Sequence, residues 1–327
     1  MNRAVSLVAD VGGTNTRVAL ADGTEILEGT VRKYPNADYP GLETILRHYA
    51  NEQRAEVHSA CAAIAGPVHE GVGEMTNLDW TFDLNALARA TGAQHTAILN
   101  DLQAQGYALG DIKPENLKTV ITSPEQPRGN TKLVIGVGTG FNAAVVYETQ
   151  TGRLVPPSEC GHANLPIRTE AELRLCHYVE TAHGFPSVED VLSGRGLERV
   201  YRWLGHEAGD EAELSAADIM ARIRDGADPR ATETARVFAK ILGTVAGNLS
   251  LIHLPFGGVY LIGGVARAFA PFLEGFGFGA AFRDKGRFAG FMTNFGVTII
   301  EDDFAALIGC ASHLQEIRQD RLATRSA

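Results

Sequence analysis

Apolar and polar positions along the first third of the chain alternate between two periods. Val5 to Asp10 is largely apolar and predicts a strand; Gly12-Gly13-Thr14-Asn15 then predicts a tight turn, and Arg17 to Ala21 a returning strand. Asp22-Gly23 is a hairpin signal that points to a third strand near Ile26–Val31. Leu42, Ile45, Leu46 and Tyr49 recur at helical spacing, and Ser59 to Ile64 reads as a buried strand closed by Gly66-Pro67. Ala97 to Leu99 is a short strand ending at Asn100-Asp101, with a helix after it. The order β-β-β-α-β-α predicts an α/β fold, a mixed sheet covered by helices.

The same pattern restarts further on. Leu133 to Val137 predicts a strand, Gly138-Thr139-Gly140 a turn, and Ala143 to Tyr147 a second strand; Thr151-Gly152 turns into a third near Leu154. Helices are expected around Ala171–His183, Leu197–Trp203, Ala216–Arg224 and Thr232–Leu254. Gly258 to Ile262 reads as a strand, followed by Gly263-Gly264 and a helix near Phe269–Phe276. Val297 to Ile300 is a last strand and Phe304–Ile317 a closing helix. Two glycine-turn hairpins, one near the start of each half, suggest a distant internal duplication. Gly110 to Asn130, rich in Pro, Gly and polar residues, is the candidate linker, and the charged tail from Gln319 is expected to fray.

Composition narrows the class. A chain of 327 residues exceeds one typical domain, and 45 % apolar residues suffice for a core without disulfides or metal. A formal charge of −10 repels polyanions, which argues against nucleic acid as a partner. Cys61, Cys160, Cys176 and Cys310 show no paired spacing, so reduced thiols and a cytoplasmic setting are expected. Met1 to Asp10 carries no signal-peptide pattern, and no apolar stretch approaches the roughly 20 residues of a membrane span. No membrane partner is expected.

The candidate chemistry lies in the glycine turns. Asp10-Val11-Gly12-Gly13-Thr14-Asn15-Thr16-Arg17 joins two strands through a turn without side-chain bulk, which can lay backbone N–H groups against a phosphate. Asp10, at a strand end, suits Mg²⁺ held through water. Gly136-Val137-Gly138-Thr139-Gly140 is a second candidate phosphate loop; it is no dinucleotide fingerprint, since the third glycine would fall at Phe141. A Walker A motif is absent from the chain. Gly263-Gly264 after an apolar strand is a third glycine turn, and three such turns spread over both halves suit a nucleotide held between two lobes. Asp101, just beyond a strand end, is positioned to accept the proton of an alcohol that attacks a phosphoryl group. Taken alone, an Asn-Asp pair reads first as an Asp capping the following helix.

DVGGTNTR, LND, GVGTG, Glu159 to His162, VEDVLSGRGL, FGGVYLIGG and DKGRF resemble, in this order, the motif set of bacterial glucokinases, members of the actin-like, hexokinase-type ATPase superfamily. The resemblance runs from about Ala9 to Ala311. It implies a two-lobed actin-like (ribonuclease H-like) fold with a ligand cleft. The small α/β domain would be 1–112 completed by 302–327, and the larger α+β domain 113–301. It implies ATP with Mg²⁺ as donor and glucose as acceptor, with Asp101 as catalytic base and Asn100, Glu159, His162 and Glu189 as further sugar ligands. The nucleotide would lie on Ala9, Asp10, Val11, Gly12, Gly13 and Thr14, on Gly138, Thr139 and Gly140, and near Gly263 and Gly264. Homodimers are common in the family. The chain departs from its pattern at Ser158 and Cys160, where the element reads Ser158-Glu159-Cys160-Gly161-His162 instead of Gly-Glu-Gly-Gly-His. It departs again at Phe141-Asn142, where relatives commonly show Leu-Gly. Asn is the residue best able to replace Gly in a left-handed conformation, so Asn142 is expected to preserve the turn. A kinase for another hexose and a non-catalytic sugar sensor are the competing readings.

Overall fold

The structure, a computed structural model, describes residues 5–75, 78–123, 129–150, 152–210 and 212–326, with side chains described up to residue 319. Residues 1–4, part of the expected linker (124–128), Thr151 of the expected Thr151-Gly152 turn and the side chains of most of the expected fraying tail lie outside the described residues. Along the chain come β1 (Val5–Val11), β2 (Asn15–Asp22), β3 (Glu25–Ile26), β4 (Arg32–Pro35), α1 (Leu42–Gln53) and β5 (Val57–Ile64). Then follow β6 (Val68–His69), β7 (Val72–Glu74), β8 (Thr81–Asp83), α2 (Leu84–Thr91), β9 (His95–Asn100) and α3 (Asp101–Tyr107). The chain continues with β10 (Leu117–Ile121), β11 (Thr131–Val137), β12 (Phe141–Thr149), β13 (Gly152–Leu154), α4 (Glu170–His183), α5 (Gly194–Glu207) and α6 (Ala216–Asp225). It ends with α7 (Pro229–His253), β14 (Val259–Ile262), α8 (Gly264–Phe269), α9 (Phe278–Arg283), β15 (Val297–Ile300) and α10 (Ala305–Ser326). The elements fall into two compact units, 1–114 with 148–157 and 302–327, and 115–147 with 158–301.

In the first unit the sheet runs β3-β2-β1-β5-β9, with β4 also on β2. β1, β5 and β9 are parallel, and Val11, Ile64 and Asn100 stand in one register row, so these three strands end together. Parallel strands are covered on both faces and read as nearly unbroken apolar runs, as Ser59–Ile64 does. Leu42, Ile45, Leu46 and Tyr49 of α1 are buried against one face, and α10 packs against β1, β5 and α3. The expected third strand at Ile26–Val31 is instead two short pieces, β3 and β4. Gly29 between them takes a φ of 75°, a left-handed conformation that strands do not hold.

In the second unit β11, β14 and β15 are parallel, flanked by antiparallel β12 and β10 in the order β10-β15-β14-β11-β12. β10 falls inside the stretch expected to be a linker; its pairing with β15 makes Leu117–Ile121 part of the sheet. α7 starts on the Asp228 cap with Pro229 in its first turn. It is the one helix, among the described residues, long and apolar enough by composition to cross a membrane, yet 61 % of its apolar window is buried inside the fold. Polar residues interrupt its sequence, which is why no continuous apolar stretch was expected there. Phe238 of α7 stacks on Phe269 with ring centroids 4.5 Å apart. The helix expected near Phe269–Phe276 is displaced: α8 ends at Phe269, turns follow, and α9 begins at Phe278. Gly277, at φ 88°, and Pro271 supply the physical reason, since neither supports a continuous helix there.

Candidate active site

The first glycine turn is held by a residue that the motif does not contain. Asn36 is 2 % exposed; its Nδ2 donates to the Gly12 carbonyl at 2.7 Å and its Oδ1 accepts from Thr16 Oγ1 at 2.8 Å. Its backbone N–H bonds to Thr14 O at 2.9 Å, so one side chain and one N–H fix the turn from 12 to 16. Ala9 and Val11 have fully buried side chains, so any contact they make with a ligand is through backbone. Asp10, Gly12, Thr14, Asn15, Arg17 and Lys33 line a cavity of about 200 Å³. Asp10 Oδ2 lies 3.4 Å from Arg17, a long ion pair, and burial raises the Asp10 pKa while Arg17 opposes that rise. One carboxylate beside a glycine turn fits Mg²⁺, which keeps several waters and would take its other oxygens from a bound phosphate. No cluster of three or more His, Cys, Asp or Glu exists among the described residues that could cage a metal by itself.

Asn100 and Asp101 lie at the end of β9, two strands from the end of β1 in the same register row, on the order of 10 Å from the first glycine turn at about 4.8 Å per strand. The cap of α3 is Asn100. Its Oδ1 accepts from Leu102 N at 3.0 Å, its Nδ2 donates to Gly66 O at 3.0 Å, and its backbone N–H bonds Gln103 Oε1 at 3.1 Å. Both ends of its amide are therefore engaged, and one side-chain N–H remains for any ligand. Asp101 is the first helical residue, and its Oδ1 accepts from Leu102 N at 2.8 Å.

In the second unit four sequence features converge. Gly138–Gly140 follow β11, and Gly263-Gly264 follow the adjacent parallel β14, so both turns sit at one sheet edge, where α/β folds gather ligands. Gly194 N donates to Gly138 O at 2.9 Å, which seats the start of α5 on the same loop. Glu189 Oε2 accepts from Phe141 N at 2.9 Å, just past that loop, while Glu189 N donates to Gly161 O at 2.9 Å. Glu159 and His162 flank Gly161 in a short 3₁₀ turn, both exposed. The five expected sugar ligands are thus divided, Asn100 and Asp101 in the first unit and Glu159, His162 and Glu189 in the second.

A sequence profile of the glucokinase family matches residues 7–317. The chain belongs to the glucokinase family. It is 34 % identical over 312 residues to a glucokinase of Shigella flexneri serotype 5b, covering 95 % of this chain and 97 % of that one. It is 33 % identical over 323 residues to a glucokinase of Saccharophagus degradans, covering 95 % and 98 %. Among solved structures, a glucokinase from an Antarctic psychrotroph superposes with a TM-score of 0.83 at 30 % identity, over 95 % of this chain and 98 % of that one. At the level of fold alone, the glucose complex of Balamuthia mandrillaris glucokinase gives 0.79 at 24 % identity, over 94 % and 92 %.

Within the glucokinase family pattern, this chain's departures prove to be bonded to one another. Asn142 Nδ2 donates to the Ser158 carbonyl, and Asn142 Oδ1 accepts from Cys160 N at 3.2 Å and from Ala143 N at 2.8 Å. Ser158 Oγ accepts from Cys160 N as well, at 3.2 Å. Asn142 is not left-handed, contrary to expectation: among the described residues, the positive-φ residues other than glycine are Arg54, Glu70 and Leu254. It lies in β12, and its side chain, in place of its backbone, does the work of tying the Ser158–His162 element to that strand. Burial raises the Cys160 thiol pKa, so this cysteine sits there as a packed thiol. Sequence reasoning also missed Asn36 and Lys33. The Asn36 signal is only a short polar residue after Pro35, and Lys33 is visible only once β4 is paired.

Proposed function

We propose that the protein is a glucokinase, transferring the γ-phosphoryl group of ATP to the 6-hydroxyl of glucose to give glucose 6-phosphate and ADP. Asp101 accepts the hydroxyl proton as the sugar oxygen bonds to phosphorus and the bond from phosphorus to the ADP oxygen breaks. Asn100, Glu159, His162 and Glu189 hold the remaining hydroxyls; a pocket built on such hydrogen bonds rejects a sugar that lacks or inverts one. Backbone N–H groups of Gly12–Thr14 and Gly138–Gly140 carry the phosphates, and the adenosine lies by Gly263-Gly264. Asp10 would hold Mg²⁺ through water, and the ion would offset phosphate charge.

In this reading the two units are the small and large lobes of an actin-like fold, with the ligands in the cleft and water expelled on closure. Four free cysteines, three of them buried, support a reducing, cytoplasmic setting, and a homodimer belongs to the same proposal. The observation that carries it is the shared row of Val11, Ile64 and Asn100, which ends the phosphate turn and the Asp101 carboxylate at one sheet edge in a chain of this family.

The test is the Asp101→Ala variant. Turnover should fall at least about a hundredfold, the low end for lost acid–base catalysis, while calorimetry still detects glucose binding. Near-normal turnover would end the assignment. Initial rates on glucose, mannose and fructose decide the acceptor, with glucose expected to lead.

A further inference from the structure

Opposite residues across antiparallel strands share a face, with Cβ atoms about 5 Å apart. Asp10 is opposite Arg17 across β1 and β2, and Arg17 is opposite Lys33 across β2 and β4. The three side chains therefore form one row, and all three line the cavity with Gly12, Thr14 and Asn15. Asp10 and Arg17 balance each other at 3.4 Å, and Arg17 also donates to Asp303 O at 3.4 Å. Lys33 is exposed, and among the described residues it has no carboxylate within ion-pair distance. Two cations directly opposite each other on a sheet repel. An anion placed in the cavity would remove that repulsion and would find one net positive charge waiting for it.

An edge-strand lysine can also serve only to discourage pairing with another chain. That role needs no position opposite Arg17 and no share in the cavity wall, and Lys33 has both.

We propose that Lys33 is a phosphate-binding residue of this site, its ammonium engaging the terminal phosphate of the nucleotide. A lysine suits that task as a mobile point charge with three donors, whereas Arg17 is held in place by Asp10. The assignment rests on the kinase reading above, and its test separates the two. Calorimetry with ATP, and with inorganic tripolyphosphate as a probe without base or sugar, measures binding whether or not the enzyme turns over.

Lys33→Met should weaken both ligands about tenfold, the size expected for one charge-assisted hydrogen bond. It should raise the KM for ATP similarly and leave the KM for glucose within about twofold. Lys33→Arg should restore most of the loss, and the gap between wild type and Lys33→Met should narrow at high salt. Thermal unfolding in the absence of ligand should be unchanged, as befits an exposed side chain. Unaltered affinity for ATP and tripolyphosphate in Lys33→Met would overturn the proposal. If wild type binds both but phosphorylates no hexose, the kinase reading falls while the anion site stands.

Discussion

Two kinds of glycine stand around the second glycine loop, and they make opposite predictions. A Cβ on Gly161 would lie 1.9 Å from the Phe141 carbonyl oxygen, and one on Gly263, at φ 107°, would lie 2.4 Å from the Val137 carbonyl. Backbone cannot yield to such contacts cheaply, so these glycines serve the fold. A Cβ on Gly138 or Gly264 would meet nothing within 4 Å. Among the described residues nothing packs against either position, which suits the close approach of a phosphate in the proposed nucleotide site. Gly161→Ala is therefore expected to lower the melting temperature by several degrees and to weaken glucose binding with it. Gly138→Ala should leave the melting temperature unchanged and raise the KM for ATP about tenfold. Paired thermal unfolding and steady-state kinetics check both, and equal melting losses would refute the distinction. The motif alone could not sort these glycines. Glycine is written identically whether a neighbouring carbonyl or an absent ligand demands it. Asn142 shows the same limit, because its partners Ser158 and Cys160 lie sixteen and eighteen residues away and are joined to it only by folding.

Helices illustrate what can be read locally and what cannot. α1 was legible because Leu42, Ile45, Leu46 and Tyr49 trace one apolar face; α7 was legible from Thr232 to Leu254 for the same reason. α8 and α9 were misplaced because phenylalanines continue the apolar count through residues where Pro271 and Gly277 break the backbone. The contact of α10 with α3 was not legible at all. There His313 packs its ring 4.3 Å, centroid to centroid, from Tyr107, and its Nδ1 is buried without a hydrogen-bond partner. Burial pushes its pKa down to about 4 from the usual 6.5. The folded state thus keeps His313 neutral where the unfolded chain takes up a proton. Stability is full above pH 6.5 and is lost as pH falls from about 6.5 to about 4. At about 1.4 kcal/mol per pKa unit, and with His313 only partly enclosed, the loss should be on the order of 2 kcal/mol. His313→Gln should flatten that acid limb in urea unfolding followed from pH 7 to pH 4, and an unchanged slope would remove His313 as its source.

Length and the repeated glycine hairpins led to the expectation of two domains, but nothing in the sequence shows that a compact unit is assembled from separate segments of the chain. The first unit is assembled from three segments, 1–114, 148–157 and 302–327, so its core closes only when the last of them arrives. α10 supplies Leu307, Cys310, Ala311 and Leu314, all buried, against the face of β1 and β5 that α1 does not cover. Gly309 brings it so near α3 that a Cβ there would lie 1.6 Å from the Ala104 carbonyl oxygen. Burying a leucine contributes about 1.5–3 kcal/mol, and the two leucines with the smaller residues around them add up to a sizeable part of the roughly 5–15 kcal/mol that holds a typical domain. A chain ending at Glu301 should therefore lose the cooperative unfolding of its first unit. Cys61, fully buried in β5, reports on this directly, because removal of α10 uncovers the strand on which it lies. With a thiol reagent under native conditions, Cys61 should react within minutes in the shortened chain and remain protected in the full one, followed residue by residue by mass spectrometry. Gly309→Val tests the same contact without deletion and should accelerate labelling of Cys61 and Cys310 together. Protection of Cys61 preserved in both variants would mean that the first unit closes without its C-terminal helix, and that α10 contributes little to its stability.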